Sequence, residues 1–432
     1  MGPFRSVKAM SRLLAGFSIL LLSAGSGAQP DAGTSPFSDE LKTEIERLLK
    51  SEKESVAGEK EAVEVFDRIE ELAQRLAEVG DFETAGALAK KGAEFFPEER
   101  RSLALLGWTE GLAGEYDRAI EVTRSALEAK TERLPDPQNS SVKKAETNLA
   151  GFLIHEGELQ EAVTLLERAA EGSSDRGAIR YLLGQAYFEL GDSFLAAKAY
   201  ERALREAENL ATAEDYFRYA TALDQMGKLD RAAKALQRGV QKLPNASGLY
   251  LNLGLNAEAT GATREAYLHY RMETEVSGPD SPFSVAADKR IERIEAVQSK
   301  SAFPDATLGS LIAYLQLRED KKNPENADKE TDSKIEKAYT SAFANVWPEH
   351  PYLKLLQADR LVSTGAPDRA VEVLEKARAV FPNQVLFTLE LAKIYGGVGD
   401  ASKSNALIRD ALLQAPEHWK AQRIVGPLGS PN

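Results

Sequence analysis

The 432-residue chain contains no cysteine. Disulfides, thiolate metal sites and a cysteine nucleophile are therefore excluded, and packing alone must hold the fold. Histidine is scarce as well: His155, His269, His350 and His418 are scattered through the sequence. His155-Glu156 opens like a zinc-protease helix, but Leu159 stands where the second histidine belongs. Neither a phosphate-cradling glycine loop with lysine and serine or threonine nor a serine elbow occurs. Carboxylates are abundant, so Glu70, Glu71 and Glu78 read as a solvated helix face rather than as an acid–base pair. The sequence thus gives no sign of catalysis and calls for no metal or cofactor.

Aromatic residues are only 7% of the chain, while alanine, leucine, glutamate and arginine are plentiful, the profile of an all-helical protein. The apolar stretch Leu13–Ala24 is 12 residues long, short of the roughly 20 that a spanning helix needs. With Arg5, Lys8 and Arg12 before it and Ser26-Gly27-Ala28 after it, residues 1–28 are expected to be a cleaved secretory signal. The alternative is a retained membrane anchor. A lipoprotein anchor would need a cysteine after that stretch, so the expected location is exported and periplasmic, with no membrane insertion after cleavage. Cleavage removes three positive and no negative charges, taking the formal charge from −13 to −16. Such an acidic surface repels phosphate backbones and anionic headgroups, which argues against nucleic acid or a membrane surface as the main partner.

The order in the chain is a repeat. A glycine followed five positions later by alanine occurs at Gly80, Gly114, Gly157, Gly191, Gly227, Gly261 and Gly365, and an eighth copy at Gly399 carries Ser404 in the alanine slot. Four of the steps between them are 34 residues, Gly80 to Gly114 among them. Seven places before each glycine lies a small residue, from Ala73 and Gly107 to Ala358 and Ala392. Twelve places after lies another, with Glu273 the one departure. Proline closes several units, at Pro97, Pro244, Pro382 and Pro416. This pattern predicts pairs of antiparallel helices. Small residues let the axes approach, glycine ends helix A in the left-handed conformation, and proline stops helix B.

Asn148-Leu149-Ala150, Asn252-Leu253-Gly254 and Gly227-Lys228-Leu229-Asp230-Arg231-Ala232 resemble the tetratricopeptide repeat. The resemblance implies an all-α, right-handed superhelical solenoid. Residues 29–65 form a linker and an amphipathic helix, and residues 66–280 hold six repeats, at 66–99, 100–133, 143–176, 177–210, 213–246 and 247–280. Residues 281–350 form an irregular helical segment, 351–384 and 385–418 two more repeats, and 419–432 a capping helix and tail. Residues 134–142 lengthen one connection as a loop. Within 281–350, helices are expected around Val285–Val297, Leu308–Leu317 and Ile335–Trp347, with the charged run Arg318–Lys334 a solvated loop. Leu41, Ile45, Leu48 and Leu49 share one face near the start, fit to cap the array or to form a dimer seam. Asn139-Ser140-Ser141 and Asn245-Ala246-Ser247 fit the glycosylation pattern.

Members of this family commonly hold a peptide or helix on a concave face lined by helix A, with asparagine two places before the small residue bonding to the peptide backbone. Carried over by position, the resemblance implies Asn148 and Asn252, with Lys144, Thr147, Gly151 and His155 beside the first. The matching positions of the next units are Tyr181, Gln185, Phe188 and Glu189, then Phe217, Arg218, Thr221, Asp224 and Gln225. Tyr181, Phe188 and Phe217 serve either as aromatic anchors or as packing between helices. The function expected is a non-catalytic scaffold that binds a partner protein or peptide of the bacterial envelope. The alternative is an accessory subunit that binds saccharide or peptidoglycan along the same groove.

Overall fold

The computed structural model describes residues 39–51, 59–129, 133–136, 140–170, 176–302, 304–323, 328–344, 347 and 349–425. The expected signal segment, Asn139 and the last residues of the tail lie outside them. Among the described residues there are 21 α-helices and no strand. Each glycine of the repeat, from Gly80 to Gly399, has φ between 71° and 87°. Glycine reaches this left-handed region without a Cβ penalty, so the chain turns there from helix A to helix B. The small slot of helix A is a packing contact: a Cβ on Gly254 would lie 2.3 Å from the Tyr270 ring, and one on Gly107 2.2 Å from Thr123 Oγ1. Ser404 keeps its place in the alanine slot because its hydroxyl donates to Ala392 O at 2.8 Å.

The chain divides into two compact units, residues 1–222 and 223–432. In the first, α1 (Asp39–Lys50) precedes the pairs α2 (Glu59–Glu78) with α3 (Phe82–Phe95), and α4 (Arg100–Leu112) with α5 (Tyr116–Glu128). The pairs α6 (Ser140–Glu156) with α7 (Leu159–Ala170), and α8 (Arg176–Leu190) with α9 (Ser193–Glu206), follow, and α10 (Ala213–Gln225) closes the unit. Each of these pairs packs on the next in chain order, and α4 also touches α6. Ile45 and Leu48 of α1 are buried with Phe66, Ile69 and Leu88, and Leu41 and Leu49 pack against the same cluster, so this apolar face caps the first pair.

The second unit runs through α11 (Leu229–Lys242), α12 (Leu249–Ala259), α13 (Thr263–Ser277), α14 (Pro282–Lys300), α15 (Ala306–Asp320) and α16 (Lys329–Phe343). It ends with α17 (Pro351–Ser363), α18 (Pro367–Val380), α19 (Val385–Gly397), α20 (Ala401–Gln414) and α21 (Trp419–Val425). Here chain order and packing order part: α13 is contacted by α14 and again by α17. Asn245, in the turn before α12, donates to Asn383 O at 2.8 Å and accepts the Val385 N–H at 3.1 Å. Trp419 Nε1 donates to Glu275 O at 3.0 Å. The last two repeats therefore fold back onto α12 and α13, and the Asn245 amide is engaged at both ends.

The charged run is more helical than expected. The helix α15 continues to Asp320 and α16 begins at Lys329, with Asp328 accepting the Thr331 N–H at 2.7 Å as its cap. Lys322–Glu319 and Lys334–Glu330 pairs line these helix ends, and Arg318 pairs with Asp359 of α17. The expected helix at Ile335–Trp347 starts earlier and stops at Phe343, leaving Trp347 outside it. Opposite charges at helical spacing support a helix even where no apolar face is continuous. Glu273, the departure from the small slot, is fully buried on α13. Its carboxylate accepts the N–H groups of Gly248 (2.7 Å) and Leu251 (2.9 Å). Gly248 has no side chain to cap α12, so Glu273 satisfies those orphan donors from the partner helix.

Candidate partner-binding groove

In the first unit the helix A faces of α2, α4 and α6 surround a groove of about 520 Å³. Asp67, Glu70, Gln74 and Glu78 line it from α2, spaced three, four and four residues apart, so they share one face of that helix. Arg101, Ala104, Leu105 and Trp108 of α4 form the floor, and Lys144 and Asn148 of α6 stand on the other side. Arg101 bonds to Asp67 (2.9 Å) and Glu70 and lies over the Phe66 ring, 5.1 Å from its centroid. One guanidinium thus serves two carboxylates, and the exposed Glu78 extends the acidic side. An acidic wall, partly paired with Arg101, faces a lysine and an asparagine across the apolar side chains of Ala104, Leu105 and Trp108.

The connection before α6 fixes the far wall. Arg101 Nη1 donates to Pro135 O at 3.0 Å, and Glu99 accepts the N–H groups of Arg133 (2.8 Å) and Leu134 (3.3 Å). Asp136 accepts the Ser141 N–H at 3.0 Å and the Ser140 hydroxyl at 2.9 Å. Burial raises the Asp136 pKa, but the hydrogen bonds from Ser141 and Ser140 outweigh it and hold the carboxyl below its ordinary value. This stretch, expected to be a bare loop, positions the N-terminus of α6.

Of the residues expected to touch a partner, Asn148 lines the groove. Tyr181 does not reach it: its ring is 2% exposed beside Tyr200, and its hydroxyl donates to Ala207 O at 3.1 Å. The connection after α9 closes over α8 at this point, so tightly that a Cβ on Gly177 would lie 2.2 Å from Ala207 Cβ. Gln185 and Thr221 are buried, Phe188 and Phe217 half-buried. Arg218 is 2% exposed and pairs with Glu214 at 2.7 Å. In the second unit, Asn252 Nδ2 donates to Gly248 O at 2.6 Å in its own first turn.

Residues 153–215 match the tetratricopeptide repeat family. The chain contains tetratricopeptide repeats. Tetratricopeptide repeats form scaffolds for binding protein or peptide partners, and that is the function of this chain at its coarsest. No curated protein matches its sequence. Among solved structures it is similar to YrrB, a tetratricopeptide protein with an unusual peptide-binding site, at 21% identity and TM-score 0.38, over 46% of this chain and 97% of that one. It is also similar to PilF of Pseudomonas aeruginosa at 19% identity and TM-score 0.45, over 55% and 99%. The C-terminal part of a repeat protein from Cytophaga hutchinsonii aligns at 12% identity and TM-score 0.37, over 82% and 98%.

Trp108, Gln74, Asp67 and Glu70 were not among the residues expected in the groove, yet the repeat register identifies all of them but Glu70. Lys144, Asn148 and Gln185 lie six before, two before and one after the small slots of their units. Applied to the slots at Ala73 and Gly107, the same offsets give Asp67, Glu71 and Gln74, then Arg101, Leu105 and Trp108, and all of these but Glu71 line the groove.

Proposed function

We propose that this tetratricopeptide protein is an exported scaffold that holds an extended segment of an envelope protein in the groove of α2, α4 and α6. The observation that carries the reading is the groove's chemistry: an apolar floor at Leu105 and Trp108 between the α2 acids and Lys144 with Asn148. A segment with an apolar side chain over the floor and a basic side chain toward Glu70 and Glu78 matches both surfaces. The Asn148 amide is placed to bond to its backbone. Export rests on the basic and apolar pattern of residues 1–28. The saccharide reading wants an open aromatic platform, whereas Trp108 is 8% exposed, so the peptide reading is preferred.

Selection from a randomised peptide display library on the protein lacking residues 1–28 tests this. Enriched peptides should pair a basic with an apolar residue, and their binding should weaken in Trp108→Ala and in Glu78→Lys. No enrichment, or enriched peptides indifferent to both substitutions, would contradict it.

A further inference from the structure

Three of the four histidines, far apart in sequence, sit where the last repeats of the second unit meet α12 and α13. His350 is the N-cap of α17, and its Nδ1 accepts the Tyr352 N–H at 3.2 Å. An imidazole nitrogen that accepts carries no proton, so the His350 proton is on Nε2. That nitrogen lies 3.0 Å from Nδ1 of His269 on α13 and donates to it. Both rings are thereby fixed as neutral tautomers, with centroids 4.8 Å apart, and Tyr250 of α12 covers the pair at 6.3 and 6.4 Å. His418, before α21, repeats the arrangement: it is buried and its Nδ1 accepts the Lys420 N–H at 3.3 Å.

We propose that the His269–His350 pair, seconded by His418, is an acid-sensitive latch that holds α17 to α21 against α12 and α13. A proton on His350 Nδ1 removes the acceptor that caps α17 and places a cation at the positive end of that helix. A proton on His269 Nδ1 turns the bond between the rings into two opposed donors. Among the described residues the acids around the ring pair are engaged elsewhere, and Glu275, which favours the charge on His418, is outweighed by burial and by Lys420. On α13, Glu273 is bound to the α12 N–H groups and Glu275 to Lys420. On α14, Glu295 is bound to Arg271 and Tyr267, and Asp288 is influenced by the same arginine. Glu349, beside His350, pairs with Lys354 of α17, and Arg318 of α15 is bound to Asp359. The tyrosines at the contact are Tyr250 and Tyr352. Gln384 of the α19 cap adds a neutral bond to Pro244 O at 3.0 Å, which acid leaves intact.

Burial points the same way. It pushes the His269 and His418 pKa values down to about 4 and that of His350 well below its ordinary value. Groups depressed in the folded state bind protons first in the opened state, so the stability they supply is present above about pH 6.5 and is lost as the pH falls toward 4. At pH 5, His269 and His418 each favour opening about thirty-fold once freed.

Hydrogen exchange of the full chain at pH 7 and pH 5, corrected for intrinsic rates, tests the latch. Amides of α17, α19, α21 and the start of α12 should lose protection at pH 5 by at least about thirty-fold, while those of α6 in the first unit keep theirs. The variant His269→Gln/His350→Asn, neutral at every pH, should lose most of this response, and His155→Gln should leave it unchanged. Unchanged protection at pH 5, equal loss in both units, or a double variant with the wild-type acid response would each overturn the proposal. Should the double variant fail to fold, the regional pattern in the unaltered protein decides.

Discussion

The two units are built from the same repeat and use it differently. In the first, helix pairs follow one another in chain order and leave the helix A faces of α2, α4 and α6 open as a groove. In the second, α13 is covered by α14 and by the returning α17, and the side chains at the contact turn inward to bond. The local unit sets the geometry of a helix pair, through its left-handed glycine and its small slots. Which pair packs on which is decided by residues outside that pattern, such as Asn245, Gln384 and Trp419. Departures from a repeat therefore mark where its packing changes.

The largest way to break the contrast is at Glu273. Replacing it with alanine strands the α12 N–H groups it now accepts and opens a cavity, and should cost about 3 kcal/mol. Denaturant unfolding followed by region should show the second unit failing first, with the first unaffected. A comparable pair is Gly254→Ala and Gly107→Ala, in which a methyl meets the Tyr270 ring and Thr123 Oγ1 respectively. Each should cost about 2 kcal/mol in its own unit, read as separate shifts in a two-step melt. A smaller and purely functional effect is expected in the groove: Trp108→Ala should weaken a selected peptide by about 2 kcal/mol in a titration, while Phe217→Ala changes affinity by less than about threefold. The smallest is Arg124→Ala, which removes a half-exposed pair with Glu161 and should change stability by about 0.5 kcal/mol.

Much of the fold was legible because its signals are local. The eight glycines, their small partners and the closing prolines each have a steric reason that survives without tertiary information. Glu273 was visible as an exception, but its purpose needed the positions of Gly248 and Leu251 twenty-odd residues away. The two ends of the charged run Arg318–Lys334 were read as loop because no apolar face continues through them, yet they belong to α15 and α16. The groove was half legible. The register that names Asn148 also names Gln74 and Trp108, yet nothing in the sequence says which units stay open. Tyr181 shows why: the connection at Ala207 that buries it is set by the close approach of Gly177, a contact between separate helices. The histidines were invisible as a group, since His269 and His350 are brought together by a fold-back and not by spacing.

The most direct test of the contrast is to measure one selected peptide by titration against the unaltered protein, Trp108→Ala/Lys144→Glu and Tyr181→Phe. Binding is predicted to be lost in the first variant and retained in the second, whose ring is interior. Retained binding in Trp108→Ala/Lys144→Glu would contradict the assignment of the groove.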